Sequence, residues 1–444
     1  MPLLRSGPLE FFERAVAEYG PSIQFQAGRS QFYLTHDPDL LRDILLTQAR
    51  LFEKFPRIDR RDGLFGEGLL TSEEPLHLRQ RRLIQPHFHR DLLCRYAEVM
   101  VDAARNWVDS LRDGEVRDWT HDLSRLALEI VSRALFSADT TPYARTIAEE
   151  LDAVLRKLNS LVLPGGVMSL RLPLPETRRY RRALEKLDDI VLTLIRERSA
   201  RRTGEADLLT ALLGSADPET GAPMSLQQLR DEVMTLLIAG HETTANALAW
   251  ALYLLAGHPE INEQMVAEVQ SVAGDRPLTA ADYPQLRFTE AVFRESLRLY
   301  PAVWILGRRA LAPYTFEGLS VPAGAVFVTC LYLLHRRPDL WPQAAEFRPE
   351  RWLDGAAAPK FAYLPFGAGA RLCVGERFAW MEGTLVLATL AQQARLERVD
   401  EAPVVPQGRL TLRPRDGLWL RVRRIRLASQ ESACPLRFAA GRPQ

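Results

Sequence analysis

One segment constrains the fold more than any other: a long run with helical periodicity that is apolar nearly all the way round. Ser225 can cap its start, Gln228 completes a capping box, and a Gly-His-Pro sequence at 257–259 stops it after Leu255. About 30 residues at 1.5 Å each give a helix roughly 45 Å long. A helix without a polar face is buried on every side, so the chain must build a large domain around it.

The same segment does not fit a membrane span. Residues 240–244 (Gly-His-Glu-Thr-Thr) place ionisable groups at its midpoint, and the apolar stretches on either side are too short to cross a bilayer. Residues 1–12 contain no apolar core long enough for a signal peptide or an anchor. We therefore expect a soluble protein without a membrane anchor.

Composition and charge exclude several classes of protein. The 444 residues are 47% hydrophobic and 25% charged, as in ordinary globular proteins. Lys and Arg number 57 against 56 Asp and Glu, so the net charge of +1 does not indicate a nucleic-acid partner. The cysteines have no paired spacing, which argues against a disulfide framework or a zinc site and fits a reducing cytoplasm; they are Cys94, Cys330, Cys373 and Cys434.

The remaining periodicity predicts a mainly α fold with a small β portion. We expect one large domain over residues 1–424 and a loose tail over 425–444. Helices are predicted at 38–46, through most of 76–213, and at 285–299 and 374–396. Strands are predicted as a hairpin of 23–25 and 31–34, at 303–305, 315–316 and 326–331, and as a hairpin over 409–423 that turns at 416–417.

The loop at 366–375 (F-G-A-G-A-R-L-C-V-G) carries the strongest chemical signal. Small residues that include Gly369 let the backbone approach a flat partner closely. The lone Cys373 is followed by a helix, whose positive end is expected to stabilise a thiolate. Arg371 can pair with an anionic group, and Phe366 can cover the sulfur. One thiolate here suits iron in a planar macrocycle better than zinc; the alternative is a buried structural cysteine.

The pattern F-x-x-G-x-R-x-C-x-G, made by Phe366, Gly369, Arg371, Cys373 and Gly375, resembles the haem-binding signature of the cytochrome P-450 family. Three other motifs follow the order of that family: A-G-x-E-T at 239–243, E-x-x-R at 295–298 and F-R-P-E-R-W at 347–352. The matches span about 69 to 375. The resemblance implies a cytochrome P-450 fold that encloses haem b, with Cys373 as the axial ligand of the iron.

Glu295 and Arg298 lie three residues apart and share a helix face, so a solvated surface pair is the simplest interpretation. Arg351 supplies a third charge, and the resemblance implies a buried network of the three. We predict that the network locks the segment behind the Cys373 loop and takes no part in catalysis.

Four cationic side chains are candidates for binding the haem propionates, since buried carboxylates need cationic partners. His77 and Arg81 lie four residues apart on one helix, and Arg308 and Arg371 match family positions. The alternative for His77 is a solvated basic helix. Other arginines of this region, Arg79, Arg82 and Arg90, are candidates for a basic face that meets an acidic ferredoxin.

In the long helix, Ala239 and Gly240 are small where a haem face needs close approach. Glu242 and Thr243 supply an acid and a hydroxyl that can hold water and relay the protons that oxygen activation needs. We predict a catalytic role for both residues. The alternatives are a structural Glu242 and a Thr243 hydroxyl that only bonds back to the carbonyl of Ala239.

The resemblance implies a haem-thiolate monooxygenase that inserts one atom of dioxygen into an apolar organic substrate by hydroxylation or epoxidation. Aliphatic segments at 55–70, 161–174, 236–239 and 302–305 suit a terpenoid, fatty acyl, steroid or polyketide-like molecule. Without a G-x-G-x-x-G fingerprint or a cysteine cluster, electrons are expected from separate redox proteins. The resemblance, which is to soluble bacterial members of the family, implies a ferredoxin and a ferredoxin reductase. The chain is expected to be a monomer. Rival functions are a peroxide-driven peroxygenase, in which the acid–alcohol pair is usually missing, and a non-enzymatic haem sensor.

Overall fold

The long apolar segment forms one unbroken helix, Leu226–Gly257, as the sequence predicts. Its Ser225 side chain accepts the N–H of Gln228 at 3.2 Å, and His258 follows the last turn. The chain was analysed as a computed structural model, which describes residues 7–28, 30–55, 63–161, 172, 174–200, 207–216, 221, 223–353 and 358–425. The predicted tail, apart from residue 425, lies outside these residues, as do Cys434 and parts of the predicted lining segments 55–70 and 161–174.

The helices follow one another around this central helix, which is α9. In chain order they are α1 (Pro8–Tyr19), α2 (Pro38–Arg42, continued as a π-helix over Asp43–Thr47), α3 (Leu76–Ile84), α4 (Arg90–Asp109), α5 (Trp119–Phe136), α6 (Ala144–Leu161), α7 (Pro175–Ala200), α8 (Leu208–Gly214), α9 (Leu226–Gly257), α10 (Pro259–Ala273), α11 (Arg287–Leu299), α12 (Leu331–Leu334) and α13 (Glu376–Gln393). Among them none combines the length and apolar character that crossing a bilayer requires.

The strands form small sheets at the edge of the helical body. They are β1 (Ser22–Ala27), β2 (Ser30–Thr35), β3 (Phe52–Lys54), β4 (Val116–Asp118), β5 (Ile305–Ala310), β6 (Tyr314–Phe316), β7 (Leu319–Val321), β8 (Val326–Cys330), β9 (Ala394–Arg398), β10 (Pro406–Gly408), β11 (Leu412–Pro414) and β12 (Trp419–Arg424). The largest sheet has the order β1-β2-β8-β5-β3, with β2 and β8 parallel, and β4-β12-β9 form a second sheet.

Most predicted elements are confirmed, including the hairpin of β1 and β2 and the helix predicted at 38–46, which is α2 with its π-helical continuation. The predicted hairpin over 409–423 is wrong. Leu412–Pro414 pairs with Pro406–Gly408, and Trp419–Arg424 pairs with Ala394–Arg398 and Val116–Asp118. The same pairing ends α13 earlier than predicted, because the residues after Gln393 extend as β9. Alternating sequence alone does not identify a strand's partner, so long-range pairing overrode the local turn signal.

Central α9 packs against α5, α11 and α13, so the loop that precedes α13 is held close to the middle of the domain. The two termini of α9 carry different neighbours. Residues near its start support the segment at 63–69, and residues near its end support β11. These contacts hold the Cys373 loop and the centre of α9 in fixed positions relative to one another.

Candidate functional site

The loop before α13 folds back on itself through its own backbone. The N–H of Cys373 donates to the carbonyl of Phe366 at 3.0 Å, and the N–H of Leu372 donates to that of Gly369 at 3.0 Å. Gly367 and Gly369 have φ of 73° and 68°, in the left-handed region that favours glycine. A Cβ at Gly369 would also collide with the carbonyl oxygen of Leu45. The small residues are therefore required by the loop's own conformation.

Cys373 has exposed surface, although the surrounding protein desolvates its thiol. Burial raises the pKa of this thiol to about 11, while the N–H of Gly375 and the charge of Arg81 act in the opposite direction. The N–H at the helix start thus acts in the expected direction, and desolvation by the surrounding protein is the larger influence on this pKa. A metal ion deprotonates a coordinating thiol outright, so this group suits an iron ligand.

The ring of Phe366, the first residue of the loop, packs against the protein and does not extend into solvent. Its ring packs edge-on against Trp380 of α13, with the two centroids 5.1 Å apart. Gly375 packs near the sulfur: a Cβ there would lie 3.9 Å from Cys373 Sγ and 3.7 Å from the Phe88 ring. The aromatic side chains close the loop's flank.

The centre of α9 shows a local opening. Ala239 is exposed although its neighbours Leu236, Leu237 and Ile238 are buried. The Thr243 hydroxyl donates to the carbonyl of Ala239 at 2.5 Å, which is the back-bonded geometry considered as its structural alternative. Its oxygen lone pairs are still able to accept a hydrogen bond.

Glu242 is directed toward a different part of the chain. Its Oε1 accepts a hydrogen bond from the Thr411 hydroxyl at 2.8 Å, and its Oε2 is buried without a partner among the described residues. Burial raises the pKa of this carboxyl, while the hydrogen bond from Thr411 and the charge of Arg413 oppose the shift. Asp152 lies 3.3 Å from Arg413, so this partly exposed ion pair lies on the far side of the buried Glu242 carboxyl.

The structure shows a packing role for the small size of Gly240. A Cβ at this position would lie 2.6 Å from Cγ2 of Val131 on α5. Its size therefore permits the close packing of α9 against α5, and its close approach to a haem stays a prediction. The next residue, His241, also turns to α5, where its Nε2 lies 2.6 Å from the Ser124 hydroxyl.

The four predicted cations have different partners. Arg81 donates to the carbonyl of Leu372 at 2.6 Å, next to Cys373. Arg371 donates to the carbonyl of Ser72 at 2.7 Å and pairs with Glu73.

His77 is buried, and its Nδ1 lies 3.0 Å from Glu74 Oε1; burial lowers its pKa to about 4. His77 and Arg371 therefore already have protein carboxylates beside them.

Arg308, like Arg81, has no carboxylate partner among the described residues. Its guanidinium donates to the carbonyl of the preceding Gly307 at 2.8 Å, and no carboxylate of the described residues lies within ion-pair distance. Burial and the nearby charge of Arg371 lower its pKa to about 10. A buried cation in this condition calls for an anionic partner. Together with the open surface of Cys373 and Ala239, it fits a planar iron macrocycle that carries carboxylates.

Glu295, Arg298 and Arg351 form one buried network. Arg298 Nε and Nη2 donate to the two oxygens of Glu295 at 2.9 and 2.8 Å, and both residues have 0% exposure. Arg351 Nε donates to Glu295 Oε1 at 2.8 Å. The other Arg298 donors meet backbone carbonyls at His335, Ala344 and Glu346. The network ties α11 to the segment that leads to the Cys373 loop.

Two supports of the site were not anticipated from the sequence. Thr411, between β10 and β11, orients Glu242 and accepts from Asn246 at 3.0 Å. Near the start of α9, Asp231 and Glu232 accept the N–H groups of Glu67 and Leu69 at 2.9 and 3.0 Å. A Cβ at Gly66 or Gly68 would collide with α9, so the closely spaced glycines were a signal of this approach.

Comparison with known proteins identifies the family. The family model described as Cytochrome P450 matches residues 2–420. "Cyclooctatin synthase" of Streptomyces melanosporofaciens is 35% identical over 92% of this chain and 90% of its own length. "Cyclooctat-9-en-7-ol 5-monooxygenase" of the same organism is 36% identical over 88% and 86%. "Pentalenene oxygenase" of Streptomyces avermitilis is 36% identical over 90% and 89%.

Proposed function

This chain belongs to the cytochrome P450 family, and from that premise we propose the detailed working of its site. The protein is a haem-thiolate monooxygenase with the fold of that family. The observation that carries the proposal is the open surface of Cys373 inside the folded domain, on a loop whose glycines are required. Cys373 is proposed as the proximal ligand.

The cofactor we propose is haem b, with Arg308 as the main partner of its propionates and Arg81, Arg371 and His77 beside them. When bound, the haem activates dioxygen, so that one oxygen atom enters the substrate and the other leaves as water. Arg308 supports this assignment because its buried charge has no carboxylate partner among the described residues. Phe366, Gly369 and Gly375 shape the proximal loop, and Ala239 is proposed to border the distal space.

Glu242 and Thr243 are proposed to move protons to the distal space. Burial raises the pKa of Glu242, so this carboxyl can hold a proton within the ordinary pH range. The Thr243 hydroxyl donates to Ala239 and can accept a hydrogen bond from a water molecule at the same time. In this proposal the back-bonded geometry of Thr243 orients its oxygen.

We propose a terpenoid-like hydrocarbon or alcohol as substrate, from among the apolar classes that the sequence allows. Two of the similar proteins have names that denote action on an alkene, pentalenene, and on an unsaturated alcohol, cyclooctat-9-en-7-ol. The aliphatic segments predicted to line the pocket, among them 236–239 with the opening at Ala239, suit such a molecule.

Electrons come from separate redox proteins, and we propose a ferredoxin and its reductase. Arg82 is exposed on α3, close to the chain that supports Cys373, where an acidic carrier could dock. We further propose a monomer in the cytoplasm, where the exposed free thiol of Cys94 stays reduced. The peroxygenase alternative is not favoured, since the acid–alcohol pair is present at 242–243 and relatives are named as monooxygenases.

The variant Thr243→Ala tests the proton relay. It should fold and bind haem and substrate, and it should still consume reductant, but hydrogen peroxide should become the main product. The measurement is product formed per reductant consumed, with peroxide released, using a terpene alkene as substrate. Thr243→Ser is the matched control, because it keeps the hydroxyl and should give an intermediate ratio. Equal ratios in wild type and Thr243→Ala would refute the relay.

A further inference from the structure

A second cavity lies away from the Cys373 loop, with a volume of about 570 Å³. It opens to solvent and is bordered by the end of α9, the end of α11, α12 with the residues that follow it, and the segment 345–348. Its apolar and aromatic wall consists of Leu254, Leu299, Tyr300, Tyr332 and Phe347. About eleven residues of helix, or roughly 16 Å along its axis, separate Leu254 from Thr243. The cavity is therefore distinct from the site described above.

The polar centre of the cavity is the guanidinium of Arg336. It lies 3.7 Å from the ring centroid of Tyr332 and 4.8 Å from that of Tyr300. Nη1 donates to the carbonyl of Tyr332 at 3.3 Å. Within the described ranges, no carboxylate lies within 4.0 Å of this guanidinium. The charge of Arg336 acts on Glu13 of α1 only at longer range. Burial lowers the pKa of Arg336, which agrees with an uncompensated interior charge.

The cavity rim adds positive charge. Arg348 lines the rim with an exposed side chain, and Glu346 is its acidic neighbour there. His258 also lines the cavity; its Nδ1 donates to the carbonyl of Leu254 at 2.8 Å, which leaves Nε2 as an acceptor in the neutral ring. Two arginines against one carboxylate favour an anion over a cation.

We propose that this cavity binds a small organic carboxylate, whose charge meets Arg336 and whose apolar part lies against Leu254, Leu299 and Phe347. A guanidinium presents several donors in one plane, and this fork matches a carboxylate. The two tyrosine rings hold the guanidinium in place by cation–π contact, and the other apolar side chains form the wall for the rest of the ligand. The volume admits a molecule of one or two rings.

Binding of 2-naphthoate to the holoenzyme, measured by titration calorimetry, tests the proposal. The neutral analogue 2-naphthalenemethanol reports any binding that needs no charge, including binding in the haem pocket. Arg336→Gln should weaken 2-naphthoate binding about 10- to 100-fold and leave the neutral analogue unchanged. Equal affinity of 2-naphthoate for wild type and Arg336→Gln would overturn the proposal.

Two further variants make the test independent of folding effects. Arg398→Gln is the matched control, since Arg398 lies over the Tyr253 ring at 5.4 Å but does not line the cavity; its 2-naphthoate affinity should stay within about twofold of wild type. Ala345→Trp fills the cavity from its exposed rim and keeps Arg336. It should abolish the charge-dependent binding, and normal binding in Ala345→Trp would also overturn the proposal.

Discussion

Arg298 is fully buried and Arg308 is half-buried, and the surroundings of these two arginines differ. Two nitrogens of Arg298 donate to the Glu295 carboxylate, and its remaining donors bind backbone carbonyls. Arg308 donates a hydrogen bond to the carbonyl of the neighbouring Gly307, and no carboxylate in the described parts of the chain lies within ion-pair distance of it. The first residue completes a network within the protein. The second is left with a charge that an external anion can balance, which distinguishes a structural arginine from a binding one.

The same contrast holds between two buried acids. Glu295 accepts from Arg298, Arg351, the backbone of Arg348 and the indole of Trp352. Glu242 accepts from Thr411 alone, and its second oxygen has no partner among the residues that the structure describes. A carboxyl held this loosely can exchange a proton, whereas the Glu295 carboxylate has donors on both oxygens and is held in one place by them.

The largest effect is expected from opening the closed network. Arg298→Ala leaves the Glu295 carboxylate buried without its main partner and should lower the free energy of unfolding by about 3–5 kcal/mol. Little haem-loaded protein should accumulate. The control is Arg294→Ala on the same helix, which removes a partly exposed pair with Glu290 and should cost about 1 kcal/mol or less. Normal yield and stability of Arg298→Ala would show that the network does not support the fold.

A smaller effect is expected at Arg308, and it should appear in the haem-loaded protein and not in the haem-free protein. Arg308→Gln removes a charge that the protein itself does not balance, so the haem-free protein should be no less stable. Haem loss from the holoprotein should be faster by about 10- to 100-fold, since a charge-assisted hydrogen bond is lost. Transfer of haem to an excess of apomyoglobin measures this rate.

Arg309 provides the control for that experiment. It is the next residue on β5, pairs with Glu53 at 3.5 Å and lies over the Phe55 ring. Arg309→Gln should retain haem as wild type does. If both variants lost haem equally, the change would reflect the strand and not the charge of Arg308.

The smallest effect concerns the acid of the distal pair. Thr411→Val removes the hydrogen bond that opposes the raised pKa of Glu242, so this pKa should rise further, by up to about one unit. If Glu242 must ionise during turnover, the acidic limb of the pH profile of coupling moves to higher pH. Thr411→Ser keeps the hydroxyl and should keep the wild-type profile. An unchanged profile in Thr411→Val would separate Glu242 from the proton path.

The sequence predicts local features of this molecule better than long-range ones. The cap at Ser225 and the apolar run after it specify α9, because both signals lie within the segment itself. The support of Glu242 by Thr411 joins residues 169 positions apart, and nothing near Glu242 indicates that partner.

Strand pairing and the effects of burial follow the same rule. The strand Trp419–Arg424 pairs with β9 and β4, which the turn at 416–417 does not reveal. The pKa of Cys373 depends on desolvation by the surrounding domain as well as on the helix that follows it, and only the helix can be read from the local sequence.

The most direct test of the account is the absorption spectrum of the reduced, carbon-monoxide-bound protein. Wild type should show the band of thiolate-ligated haem, and Cys94→Ser, which changes an exposed thiol, should show the same band. Cys373→His should lose that band and, where it retains haem, show the band of histidine-ligated haem. A thiolate-type spectrum that persists in Cys373→His or Cys373→Ala would contradict the assignment of Cys373 as the iron ligand.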